Sequence, residues 1–215
     1  MLITFEGPDG SGKSTQITLL ANYLRQQGYR VAHMREPGGT RIGEQIREVL
    51  HSTENTAMTA IAEVLLYSAS RAQLVGEVIR PALDAGEIVL CDRFYDSTLA
   101  YQGYGRGLDL DMLHRLTEFA TGGLRPDLTI YLDLDPDEGL RRRQQDQGAE
   151  WNRLDAAALE FHEQVREGYR VLLESEPERW VVVDGSGPVD DVQTAIRKAV
   201  DGRLAERSST FQRRG

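Results

Sequence analysis

The chain has 215 residues, 40% hydrophobic and 27% charged, with a formal net charge of -9. Those values predict a single soluble globular domain and argue against a general nucleic-acid binder, which would present a basic face. The lone cysteine, Cys91, excludes an intramolecular disulfide and a cysteine-rich metal site. No apolar run approaches the roughly 18 residues of a membrane span. The chain opens on a strand with no signal peptide ahead of it, so no membrane partner and a cytoplasmic location are expected.

Leu2 to Phe5 is a short apolar run suited to a buried parallel strand. Gly7, Pro8, Asp9, Gly10, Ser11, Gly12, Lys13, Ser14 and Thr15 follow, fitting the phosphate-loop pattern G-x-x-x-x-G-K-[ST]. Ile17, Leu20 and Leu24 then recur at helical spacing. A loop between a strand and a helix N-terminus offers unpaired backbone N–H groups and the positive end of the helix dipole to a phosphate. Lys13 would reach the β- and γ-phosphates, and the Ser14 hydroxyl would hold Mg²⁺.

A second strand over 30–34 leads into Arg35-Glu36-Pro37-Gly38-Gly39-Thr40. Ligands of open α/β sheets bind outside the C-terminal ends of strands, which places Arg35 for an anionic substrate or leaves it a surface arginine beside Glu36. Helices are expected over 42–50 and, as one or two, over 56–83. In the latter, Tyr67 and Arg71 share a face. They either stack on and hydrogen-bond a base or pack as core with a snorkelling arginine. The strand over 87–91 ends on Asp92, the Walker-B arrangement that brings a carboxylate to the Mg²⁺ held by Ser14. Arg93 follows directly and would lie beside the transferring phosphoryl group. Ser97, Tyr101 and Gln102 come next at near-helical spacing.

A helix over 109–120, a strand over 128–134 and a helix starting at Pro136 complete this part. Arg141, Arg142 and Arg143 form the densest basic run and lead through polar sequence to Arg153. A basic segment beside a phosphate site suggests a small mobile lid over about 141–153, with a solvated helix end as the plainer reading. The last elements are a helix over 154–173, a strand over 180–183 and a helix over 189–200, with a frayed tail over 201–215. The count predicts one α/β domain over 1–200, a five-stranded parallel sheet with helices on both faces. The four histidines are scattered, none at metal-ligand spacing.

Taken together and in order, the phosphate loop with its preceding Phe5-Glu6, the 35–40 loop, Tyr67 to Arg71, and Asp92 to Ser97 through Gly103 resemble the thymidylate kinases, P-loop nucleoside-monophosphate kinases of bacterial type. The resemblance runs from Leu2 to about Val200. It implies phosphoryl transfer from ATP·Mg²⁺ to dTMP, giving dTDP and ADP, by a homodimer. It also implies roles. Asp9 would face the deoxyribose 3′-hydroxyl side of dTMP. Tyr67 would stack near thymine, Arg71 would bond its O4 edge, and Leu50 would share that pocket. Arg35 and Arg93 would approach the dTMP phosphate, Ser97 and Gln102 would border the base, and Tyr101 would lie under the sugar where a ribose 2′-hydroxyl would clash.

One position departs from part of the family. Some members carry an arginine after the loop Asp, where this chain has Gly10. The catalytic arginine should then come from the lid, and Arg143 or Arg142 is the expected group. Two rival readings stay open on sequence alone: a P-loop kinase for another nucleotide or nucleoside, and a nucleotide-binding regulator that transfers nothing.

Overall fold

The computed structural model describes residues 1–145, 154 and 157–212, with side chains through 207. Five parallel strands, β1 (Leu2–Glu6), β2 (Val31–Arg35), β3 (Ile88–Asp92), β4 (Leu128–Asp133) and β5 (Trp180–Asp184), form one sheet in the order β2-β3-β1-β4-β5. The chain after β1 winds toward β3 and β2, whereas β4 lies on the other side of β1. The order therefore reverses at β1, and the loop leaving β1 sits at the point where such sheets bind ligands.

The three central strands are apolar because both of their faces are covered. Side chains alternate along β1. Ile3 and Phe5 pack under α1 (Lys13–Gln26) and α9 (Val189–Gln212) with Leu20, Leu24, Ile130 and Ile196. Leu2, Thr4 and Glu6 take the opposite face. Leu2 lies there with Leu74, Ile79 and Phe94. Beside them Tyr131, Tyr169 and Trp180 form an aromatic cluster with ring centroids 5.1 to 6.4 Å apart. Tyr169 belongs to α8 (Leu159–Ser175).

Several boundaries differ from the sequence reading, each for a physical reason. The 56–83 stretch divides into α3 (Ala60–Leu74), a π-helical turn (Val75–Ile79) and α4 (Arg80–Asp84). Pro81 has no N–H for the regular ladder, and the Arg80 N–H bonds the Val75 carbonyl instead. Between α5 (Tyr95–Thr98) and α6 (Leu110–Thr121) lies a second π-helical segment, Leu99–Gly105, against which α8 packs. Helix α8 starts at Leu159, leaving Leu154 as a buried turn residue. Helix α9 runs on past residue 200 to Gln212, and Leu204 packs against the core. The remaining helices are α2 (Arg41–His51) and α7 (Pro136–Gln145). Arg141, Arg142 and Arg143 therefore lie on α7. Most of the expected lid, Arg153 included, lies outside the described residues.

Candidate active site

The phosphate loop is wound as its sequence requires. Gly12 caps α1 with φ 87, and Gly7 and Gly10 also take positive φ. Lys13 is buried and donates from Nζ to the carbonyl oxygens of Gly7 (3.1 Å) and Pro8 (2.8 Å) and to Ser11 Oγ (3.3 Å). Burial, with Arg93 adding to it, pushes its ammonium down to about 8. The Ser14 hydroxyl donates to Asp92 Oδ2 at 2.7 Å, so the two residues expected to share a metal meet across the loop. Among the described residues no group of three or more His, Cys, Asp or Glu could hold a metal by itself.

Helix α7 presses on this loop. A Cβ at Gly10 would collide with the Gly139 carbonyl, and one at Gly139 would collide with the Asp9 carbonyl. With its φ of 77 as well, Gly10 can carry no arginine here, which accounts for the departure seen in the sequence. Arg142 and Arg143 on α7 both line the cavity beside the loop. Arg142 is anchored to Glu138 (2.7 Å) and to the carbonyls of Gly185 (3.0 Å) and Ser186. The charge of Arg143 acts on Asp9. Arg141 pairs with Glu138 near the surface and does not line the cavity.

Asp9, Arg93 and Tyr101 form the centre of the cavity's other half. Arg93 Nη2 donates to Asp9 Oδ1 (2.8 Å) and to the Tyr101 hydroxyl (3.0 Å), and that hydroxyl donates to Asp9 Oδ2 (3.0 Å). The guanidinium carbon lies 4.9 Å from the centre of the Tyr101 ring. Burial would raise the Asp9 carboxyl, but Arg93, Lys13 and Arg143 outweigh it and hold it well below the usual range. Arg93 Nη1 donates to Ser97 Oγ (3.1 Å) and to the Tyr169 hydroxyl (3.3 Å).

Farther in, Arg71 is sealed at 1% exposure, so neither a snorkelling nor a surface role applies. It bonds Glu36 through Nε (2.8 Å), Thr98 Oγ1 through Nη1 (2.9 Å) and the Phe94 carbonyl through Nη2 (3.1 Å), and Nη2 also lies 2.7 Å from Glu36. Of its five N–H groups these contacts leave one, on Nη1, uncommitted, and Arg71 is among the residues lining the cavity. Tyr67, Ser97, Gln102 and Leu154 line the same space. The Gln102 amide is fixed by donation to Glu63 (2.9 Å). Arg35 lines the mouth, paired with Glu44 at 3.0 Å rather than with Glu36.

Leu50 does not join this wall. It is fully buried on α2, which packs along α3, while Arg47 and His51 of α2 line the cavity instead. The sequence reading missed three further groups. Glu36 stands in the 35–40 loop with no local signature, yet it is the partner of Arg71. Tyr169 carried no local signal. Glu6 is a fully buried carboxylate beside Arg93, and the readable clue was an acid ending an apolar strand.

A family model described as thymidylate kinase matches residues 5–196. This chain belongs to the thymidylate kinase family. Among its relatives, the thymidylate kinase of Roseiflexus castenholzii (strain DSM 13941 / HLO8) is 51% identical over 216 residues, covering 95% of this chain and 94% of its own. That of Bacillus pumilus (strain SAFR-032) is 50% identical over 204 residues, covering 95% and 96%. The crystal structure of thymidylate kinase from Ehrlichia chaffeensis has a TM-score of 0.78 and 33% identity, covering 93% of this chain and 98% of that one. The family is one of ATP-dependent kinases, and the parallel five-stranded sheet is its P-loop kinase fold.

Proposed function

We infer that this cleft transfers the γ-phosphoryl group of ATP to dTMP, giving dTDP and ADP on the route to dTTP, as family membership implies. The observation that carries the reading at the level of residues is that one cavity joins two half-sites. On one side stand Lys13, Ser14 and Asp92; on the other stand Asp9, Tyr67, Arg71, Arg93 and Tyr101. Gly7 to Thr15 cradle the ATP phosphates, with Lys13 already gathered into the concavity of the loop. Mg²⁺ fits the donor set, because it is held by one or two protein oxygens together with phosphates and waters, and Ser14 and Asp92 offer such oxygens. Bound there, Mg²⁺ supplies charge neutralisation at the nucleotide's phosphate oxygens.

The acceptor half follows the same logic. The remaining Arg71 N–H is a donor for thymine O4, with Tyr67 against the ring and Gln102 and Ser97 at its border. Arg93 and Arg35 take the dTMP phosphate. Asp9 and Tyr101 lie under the sugar, where a 2′-hydroxyl would meet the Tyr101 ring. The attacking phosphate oxygen is already ionised, so the protein needs no strong base. Rate comes from holding donor and acceptor in line and placing Lys13, Arg93 and Arg143 around the transferring group. Excluding water from the cleft during transfer prevents the competing hydrolysis of ATP.

A homodimer belongs to this reading. Ile61 and Leu65 on α3 and Phe119 on neighbouring α6 are 61%, 52% and 87% exposed, an apolar face suited to a second copy. A cytoplasmic location suits its nucleotide substrates, and no described helix is long and apolar enough to cross a membrane. The test of the acceptor is coupled ADP release with dTMP, dUMP, dCMP, thymidine and ribonucleotides in turn. Strong turnover with dTMP and little with the others is expected; preference for another acceptor would contradict the pocket roles.

A further inference from the structure

Arg93 is the only non-glycine residue among the described ones with a positive φ, 69. An L-residue is strained in that conformation, so its surroundings must hold it there. The Arg93 N–H bonds the Phe5 carbonyl at 2.9 Å, and the next N–H, of Phe94, bonds Glu6 Oε1 at 2.8 Å. Glu6 Oε2 accepts from Ser97 Oγ (2.5 Å) and from the Tyr169 hydroxyl (2.8 Å). These same two hydroxyl oxygens, 2.9 Å apart, accept from Arg93 Nη1. One carboxylate thus reaches Arg93 from two directions, its backbone through Phe94 and its guanidinium through Ser97 and Tyr169.

We propose that Glu6 is a positioning residue that sets both the backbone and the aim of Arg93 for phosphoryl transfer. A guanidinium only donates, so the two hydroxyls must turn lone pairs toward it. Once ionised, above about pH 7, Glu6 only accepts; it draws both hydroxyl hydrogens to Oε2 and leaves those lone pairs facing Arg93, so the variants are compared at pH 8.5. An amide of the same shape cannot do both jobs. If its NH₂ meets the hydroxyls, their hydrogens are turned away from it; if its NH₂ meets Phe94, two donors face each other. The inference rests on the dTMP kinase reading of this cleft.

The test is Glu6→Gln, with Tyr169→Phe beside it. Wild-type turnover with dTMP first secures the underlying reading, so its failure is separate from failure of this one. For E6Q we expect kcat to fall at least tenfold while KM for ATP stays within twofold and Tm does not fall. For Tyr169→Phe, which removes one of the two relays, kcat should fall three- to tenfold. A kcat within twofold of wild type in folded E6Q overturns the proposal, as does a loss explained by lowered Tm. Should E6Q not fold, Tyr169→Phe decides: a kcat within twofold of wild type overturns it.

Discussion

Glu36→Ala tests the base pocket through the buried partner of Arg71. Glu36 and Arg71 have side-chain exposures of 3% and 1%, with a nitrogen–oxygen separation of 2.7 Å. Removing one member of a sealed pair leaves the other charge uncompensated, a cost of about 3–5 kcal/mol. Thr98 Oγ1 and the Phe94 carbonyl still accept from Arg71. The lower end, about 3 kcal/mol, therefore applies. At about 2–4 °C per kcal/mol for a chain of this size, Tm should fall by roughly 6–12 °C. The guanidinium also loses the anchor that leaves a single N–H for the base. KM for dTMP should then rise about tenfold or more, with kcat changing less. Thermal denaturation and initial rates at varied dTMP measure both. The double variant Glu36→Ala/Arg71→Ala should be more stable than the sum of the singles implies. A Tm within about 2 °C of wild type with unchanged KM, or strict additivity, would refute the reasoning.

Three further outcomes follow from the geometry. Gly10→Arg should lower Tm and reduce turnover by at least about a hundredfold, because the new side chain meets the Gly139 carbonyl at a positive φ; activity within a few-fold of wild type would show that α7 does not constrain the loop. Arg143→Ala should lower kcat by about tenfold or more with KM for ATP little changed. Arg142→Ala should cost stability more than kcat, since Arg142 is held by Glu138, Gly185 and Ser186; the reverse pattern would exchange their roles. Burial, reinforced by Asp96, pushes the Glu6 carboxyl up to about 7. The folded state therefore keeps this proton where the unfolded state has lost it. Stability from this group is present below about pH 4.5 and lost as pH rises to about 7, in all about 3 kcal/mol. Glu6→Gln should gain about that much over wild type between pH 4.5 and pH 7.5 in chemical denaturation, and a constant difference would contradict it.

The sheet was legible because its central strands are continuous apolar runs, and the phosphate loop because its glycines and lysine have fixed spacing. Asp92 and Arg93 were readable for the same reason, as polar residues ending a buried strand. What the sequence hid depends on distant pairing. Nothing local says that Arg71 is neutralised by Glu36, 35 positions earlier, or that Tyr169 on α8 reaches Glu6. The π-helical turns were hidden too, since their side-chain spacing blurs into that of a regular helix. Leu50 shows the limit of carrying a role by position: its place in the chain fits the pocket, but α2 turns it into the core and turns His51 to the cavity. The absence of an arginine at Gly10 was visible, and the reason for it, the approach of Gly139, was not.

The most direct test of the central claim follows the label. ATP carrying ³²P in its γ-phosphate is incubated with Mg²⁺, dTMP and the full chain, and the products are separated. The account predicts label in the β-phosphate of dTDP, with Lys13→Ala and Asp92→Ala abolishing the transfer. Label released as inorganic phosphate regardless of dTMP, or retained in ATP, would contradict it.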